Sequence, residues 1–220
     1  MPDTPSCNHL MTPQATKLAQ PAGDAADKKI VALTFDDGPS TTSTDEILAL
    51  LDKYGIKATF FVVGEQVSYK GERTRAAFDA GHLVENHSYT HPEFSSLSAD
   101  DMADQIDRTT AQITGVGAPT PTYFRPPYGD GDGASLAQIL SDRGMTPVYW
   151  TIDSRDWELD DVEQIHQNVL SDLQAQWDNG NLTNIVLFHD IQPHTPSIVD
   201  LVIPDLQNAG VEFVRIDAIA

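Results

Sequence analysis

Two carboxylates stand side by side where the apolar run Leu33-Thr34-Phe35 meets Asp36-Asp37-Gly38-Pro39. Like charges at the end of a buried strand repel, so such a pair needs a cation, a proton or an arginine close by. Comparable positions elsewhere in the chain offer candidates. His87-Ser88-Tyr89-Thr90-His91-Pro92 supplies two imidazoles, and Arg125-Pro126-Pro127-Tyr128 a guanidinium beside an aromatic ring. Asp153-Ser154-Arg155-Asp156-Trp157 adds two more carboxylates, and Leu187-Phe188-His189-Asp190 a third imidazole. Each stretch follows an apolar run that reads as a strand. Asp37 with His87 and His91 makes a set of one carboxylate and two imidazoles, which suits zinc with a position left for water and substrate. The same set suits a non-haem iron oxygenase, so the ligands alone leave the metal open. A zincin arrangement does not fit, because Ser88 stands where glutamate would follow the first histidine and Pro92 biases His91 away from helix. His9, His82, His166 and His194 lie apart from these stretches and read as structural.

Elements must bring these residues together. Short apolar runs at 30–35, 58–63, 82–87, 122–124, 146–152, 184–188 and 211–216 read as strands. Amphipathic stretches at 44–54, 72–80, 99–113, 134–143, 162–177 and 197–208 read as helices. Asp45 and Glu46 place acids at the positive end of the first helix, and Gly55, Gly81, Gly144 and Gly210 follow helix ends. Strand-helix alternation predicts an α/β fold with a parallel sheet. Its regular spacing favours a distorted (β/α) barrel of seven or eight parallel strands in a single domain. No Gly-x-Gly-x-x-Gly follows the first strand, which counts against a dinucleotide fold. In a parallel barrel the active site lies at the carboxyl ends of the strands, where the five polar stretches fall.

The formal net charge of -20 over 220 residues argues against nucleic acid or an anionic membrane as partner. Cys7 is the single cysteine, so no internal disulfide is expected. Residues 1–27, with four prolines and no hydrophobic period, read as a flexible leader, and 28–220 as the catalytic domain. No run is long and apolar enough for a membrane span or a signal peptide, so an exported protein is expected here in trimmed form.

Taken in order, Thr34-Phe35-Asp36-Asp37-Gly38-Pro39, His87-Ser88-x-x-His91-Pro92, Arg125-Pro126-Pro127-Tyr128, Asp153-x-x-Asp156-Trp157 and Leu187-x-His189-Asp190 resemble the five motifs of the polysaccharide deacetylases of carbohydrate esterase family 4, the NodB-homology enzymes. The resemblance covers about residues 29–217. It implies a distorted barrel and metal-dependent removal of acetyl groups from polysaccharide. By position it makes Asp37, His87 and His91 the ligands of a divalent ion, zinc first, with cobalt or nickel as substitutes. Asp36 becomes the general base and Arg125 its partner. The Tyr128 backbone N–H becomes a donor to the oxyanion. His189 becomes the general acid, backed by Asp156 in preference to Asp153. Trp157 walls the groove, and Leu187 receives the acetyl methyl group. The implied partner is an acetylated polysaccharide or oligosaccharide, met outside the cell by a monomer with no membrane insertion. N-acetylglucosamine polymers such as chitin and chitooligosaccharides are the expected substrates, with acetylxylan or peptidoglycan as alternatives and a non-catalytic sugar-binding relative more distant.

Overall fold

The computed structural model describes Leu18, residues 27–131 and residues 133–220. The expected leader, with Cys7 and His9, falls outside the described residues except for Leu18 and Asp27. Leu18 is partly buried against the core inside the sheet.

Eight strands and six α-helices make up the fold among the described residues, alternating except that β6 follows β5 directly. In chain order they are β1 (Ile30–Asp36), α1 (Ser43–Lys53), β2 (Thr59–Val62), α2 (Gly64–Asp79), β3 (Leu83–Asn86), α3 (Ala99–Gly115) and β4 (Tyr123–Phe124). They continue as α4 (Ala134–Asp142), β5 (Thr146–Pro147), β6 (Ile152–Asp153), α5 (Val162–Asp178), β7 (Thr183–His189), α6 (Thr195–Asn208) and β8 (Glu212–Phe213). Every pairing is parallel, in the order β5-β4-β3-β2-β1-β7-β6, with β8 beside the start of β1. The fold is the expected distorted (β/α) barrel. Five of these helices return the chain to a parallel neighbour of the strand before, as parallel pairing requires, and α6 carries it from β7 to β8 beside β1.

The strands have two faces because side chains alternate along them. On β1, Val31, Leu33 and Phe35 join the outer core under the helices, together with Phe60, Val84, Val186 and Phe188 of neighbouring strands and Ile47, Ile165 and Val202 of the helices. Phe35 stacks between Phe60 and Phe188, at centroid distances of 5.1 and 5.8 Å. The intervening residue Ala32 belongs to a second core with Phe61, Val148, Ile185 and Ile216. Continuing that alternation carries Thr34 and Asp36 up the inner face to its carboxyl end. There the apolar filling gives way to polar groups.

One expected strand is two. The stretch 146–152 begins beside β4, where Val148 N–H donates to the Phe124 carbonyl, and ends beside β7, where Thr151 N–H donates to the Ile185 carbonyl. Between these points the backbone crosses the seam of the barrel, and the carbonyls of Val148 and Tyr149 turn toward Arg125. Arg125, which carries only donors, takes these two carbonyls as acceptors and so breaks the ladder that the apolar pattern alone would extend. Helix α2 starts eight residues earlier than expected, at Gly64, and carries a non-helical residue at Lys70 (φ −139°, ψ 33°). Two glycines and a serine in that first segment are weak helix formers, so its helicity is set by packing. A Cβ on Gly64 would lie 2.5 Å from Thr109 Oγ1 and 2.6 Å from the Tyr89 ring. The last strand is shorter than expected, because after Val214, whose N–H still donates to the Val31 carbonyl of β1, the chain turns away and Ile216 N–H donates to Thr59 Oγ1. Among the described residues no helix is long and apolar enough to cross a membrane.

His82, read as structural, is buried with Nδ1 accepting the Ala58 N–H at 3.1 Å. Burial, with Lys57 and Arg215 nearby and only Asp52 opposing, pushes its pKa down to about 4. The unfolded chain therefore binds a proton that the folded one refuses, so this contribution is present above the ordinary histidine value and lost as the pH falls toward 4. The fall in unfolding free energy across that acid range is expected to be shallower for His82→Asn than for the parent. The difference has a ceiling of about 1.4 kcal/mol per pH unit. Parallel thermal melts from neutral to acid pH check it, and identical slopes would remove His82 from the acid response.

Candidate metal centre and active site

Five strands deliver their polar stretches to one mouth. Asp37, immediately after β1, sits at φ 76°, and Ser88 and His91 after β3 at 68° and 59°. Tyr128 after β4 and Arg155 after β6 are at 60°. These are the only described non-glycine residues with positive φ, and all lie in the loops expected to carry chemistry. Such backbone costs on the order of 1–3 kcal/mol per residue and persists where surrounding structure enforces it.

Asp37 Oδ1 faces two imidazoles, with His91 Nε2 at 3.1 Å and His87 Nε2 at 3.4 Å. The three ligand atoms lie within 4.8 Å of one another. His87 Nδ1 is 2.7 Å from the Arg125 carbonyl, which can only accept, so the ring donates there. In the neutral tautomer this leaves Nε2 as a bare lone pair aimed at a carboxylate. The buried Asp37 Oδ1 has no hydrogen-bond partner in the protein. An unpartnered anionic oxygen, a lone pair facing it and a second imidazole are the donor set a divalent cation satisfies. A ligand histidine anchored through its other nitrogen to a backbone carbonyl is the usual support for one. The residues therefore fit the metal.

Asp36 lies beside this cluster, 2 % exposed. Its Oδ1 takes Arg125 Nη1 at 2.8 Å, and its Oδ2 lies 3.6 Å from His87 Nε2. Arg125 is wholly buried. Its remaining donors go to Thr34 Oγ1 at 2.8 Å and the carbonyls of Val148 and Tyr149 at 3.2 and 3.3 Å, and its plane lies 4.1 Å from the Phe61 ring centroid. A single ammonium could not serve four acceptors in this spread.

On the adjacent strand His189 pairs in register with Asp36. Its Nδ1 is 2.7 Å from Asp156 Oδ1, and its backbone N–H donates to Asp156 Oδ2 at 2.8 Å. Asp156, not Asp153, is the carboxylate on His189. Asp153 instead accepts Arg155 N–H at 2.9 Å and the Trp157 indole N–H at 3.4 Å. Burial opposes a charge on His189, but the Asp156 hydrogen bond and the charges of Asp156, Asp36 and Asp37 raise its pKa to about 9.

Tyr128 and Trp157 are the largest exposed rings at this end, at 63 % and 54 % exposure, and Tyr128 sits edge-on to His91 at 4.6 Å. Leu187 is buried on β7, opposite Thr34. The structure adds residues that spacing did not single out. Thr34 donates to the Val186 carbonyl while accepting from Arg125. Asp190, fully buried, accepts the Thr44 hydroxyl at 2.6 Å and presses on Gly38 so closely that a Cβ there would lie 2.1 Å from it. Burial, assisted by Asp37 and Asp36 and opposed by Thr44, pushes the Asp190 carboxyl up to about 7.

Residues 23–148 match the polysaccharide deacetylase family model. The chain belongs to the polysaccharide deacetylase family. A family 4 carbohydrate esterase from Streptomyces lividans, solved with acetate, superposes with a TM-score of 0.75 at 37 % identity over 83 % of this chain and 90 % of that one. A chitooligosaccharide deacetylase of a Bradyrhizobium species is 31 % identical over 87 % of this chain and 90 % of its own. A peptidoglycan N-acetylglucosamine deacetylase of Listeria monocytogenes is 32 % identical over 96 % of this chain, which spans 43 % of that relative's length.

Proposed function

We propose that this polysaccharide deacetylase domain hydrolyses acetyl groups from polymers or oligomers of N-acetylglucosamine. The observation that carries the reading is the Asp37, His87 and His91 cluster with its unpartnered oxygen, flanked on one side by Asp36 on Arg125 and on the other by His189 on Asp156.

Asp37, His87 and His91 would hold a divalent ion, zinc by donor type, with cobalt or nickel as substitutes. When bound, that ion supplies a Lewis acid for the acetyl carbonyl and acidifies a water. Asp36 keeps one oxygen on Arg125 and turns the other toward the ligand atoms, so it is the group placed to accept a proton there. Arg125 fixes its direction. The Tyr128 backbone N–H is assigned to the developing oxyanion, on a residue that the surrounding structure holds at φ 60°. The Asp156 hydrogen bond and charge favour a proton on His189 against the effect of its burial. Held through Nδ1, it presents Nε2 to the mouth, where it donates a proton to the departing amine. Trp157 and Tyr128 offer exposed faces to sugar rings, and Leu187 is assigned to the acetyl methyl group. A domain acting on polymers of this kind would work outside the cytoplasm.

A formal charge of -20 favours a neutral or partly cationic sugar chain over an anionic wall polymer. The match to a chitooligosaccharide deacetylase over 90 % of that relative's length supports the same choice. Peptidoglycan is the second reading, favoured by the Listeria relative's match over 96 % of this chain. Acetate release by the zinc-loaded protein from N-acetylchitopentaose, acetylxylan and purified peptidoglycan tests the ranking. The chitooligosaccharide is expected to give the higher kcat/KM of the two amide substrates, changing little with salt. A clear preference for peptidoglycan overturns the substrate choice.

A further inference from the structure

Asp156 reaches past His189. Its carboxylate is 1 % exposed, and such a group needs its oxygens satisfied. Oδ1 meets His189 Nδ1, and Oδ2 accepts the His189 backbone N–H. Both bonds come from one residue. The bond that ties the carboxylate to a different element is the Thr195 hydroxyl, which donates to Oδ2 at 2.6 Å from the first residue of α6. Thr195 is wholly buried. The preceding residue, His194, has Nε2 2.8 Å from the Asp156 carbonyl, so α6 grips both the backbone and the side chain of Asp156. The fourteen-residue helix also turns its positive end toward this anion.

We propose that Thr195 is a positioning residue for the acid half of the site: its hydroxyl fixes the plane of the Asp156 carboxylate and thereby the direction in which His189 offers its proton. The inference rests on reading His189 as the donor to the leaving group. Without the hydroxyl, Oδ2 keeps one bond, from the His189 backbone N–H, and the carboxylate loses its side-chain tie to α6, so its plane and the imidazole it holds are less closely fixed. The metal cluster and Asp36 are on other strands and are untouched. The loss should therefore fall on bond cleavage that needs a proton donor. An amine leaves only when protonated, whereas an activated phenolate leaves without help.

The test uses zinc-loaded parent, Thr195→Val and Thr195→Ser. It measures kcat and KM on N-acetylchitopentaose and on 4-nitrophenyl acetate, with zinc affinity by calorimetry. Thr195→Val is nearly isosteric and is expected to lose about 10–100-fold in kcat on the amide, the usual scale for a supporting hydrogen bond. KM, zinc affinity and the aryl acetate rate should stay at parent values, and Thr195→Ser should recover most of the amide rate. Equal losses on both substrates, a change confined to KM, no loss at all, or a serine variant no better than valine would each overturn the proposal. If Thr195→Val does not fold, Thr195→Ala is judged by the same criteria. A parent that cleaves the aryl acetate but releases nothing from any acetylated saccharide overturns the deacetylase reading itself, a result distinct from a failure of Thr195 alone.

Discussion

Asp36→Asn is expected to lower kcat for acetate release by on the order of 10²-fold or more, with zinc affinity unchanged, whereas Asp37→Ala is expected to lose zinc affinity and activity together. The two residues are adjacent, yet the backbone turns between them, and Asp37 at φ 76° points its Oδ1 at both imidazoles. Asp36 spends Oδ1 on Arg125 and stands 3.6 Å from His87 Nε2, beside the ligand set without belonging to it. Asparagine keeps an oxygen for Arg125 but loses the capacity to take a proton, and with it the charge that balances the buried guanidinium. Calorimetric zinc titration run alongside steady-state kinetics separates the roles. Equal zinc loss in the two variants would show that both carboxylates are ligands.

Arg125→Met is expected to destabilise the fold by about 3–5 kcal/mol, the scale for removing one partner of a buried ion pair. At roughly 2–4 °C per kcal/mol for a domain of this size, melting should fall by roughly 10 °C. The reason lies in what remains. Asp36 is left buried without its counter-charge, and the carbonyls of Val148 and Tyr149 lose their guanidinium at the seam. Asp36→Asn in the same chain should recover part of the loss, because the two sites share one interaction. Thermal unfolding at neutral pH checks both statements. A loss under about 1 kcal/mol would mean that water or a neighbouring group takes over the role of Arg125.

The sequence disclosed the site more fully than the backbone that carries it. Acid, imidazole and guanidinium at successive strand ends pointed to one mouth, and the Asp37, His87 and His91 set to a metal, because parallel strands must deliver their carboxyl ends together. The break between β5 and β6 was not legible, since it follows from Arg125 drawing two carbonyls out of an otherwise apolar run. The first half of α2 was hidden for a related reason, as Gly64 is chosen for its fit to Tyr89 and Thr109 rather than for helix formation. Choosing between Asp153 and Asp156 needed the turn at Arg155. Thr195 gave no signal, and Asp190 stood in the fifth motif without a role, because a threonine 39 residues from its aspartate, and an aspartate 146 from its threonine, acquire their partners only from the fold.

The central claim is that Asp37, His87 and His91 hold a divalent ion on which acetyl hydrolysis depends. Acetate released from N-acetylchitopentaose by chelator-treated protein, before and after zinc is restored, tests it most directly. The account predicts release only after zinc is added, and none at any zinc concentration for Asp37→Ala. Release that survives chelation, or that zinc restores equally in Asp37→Ala, would contradict it.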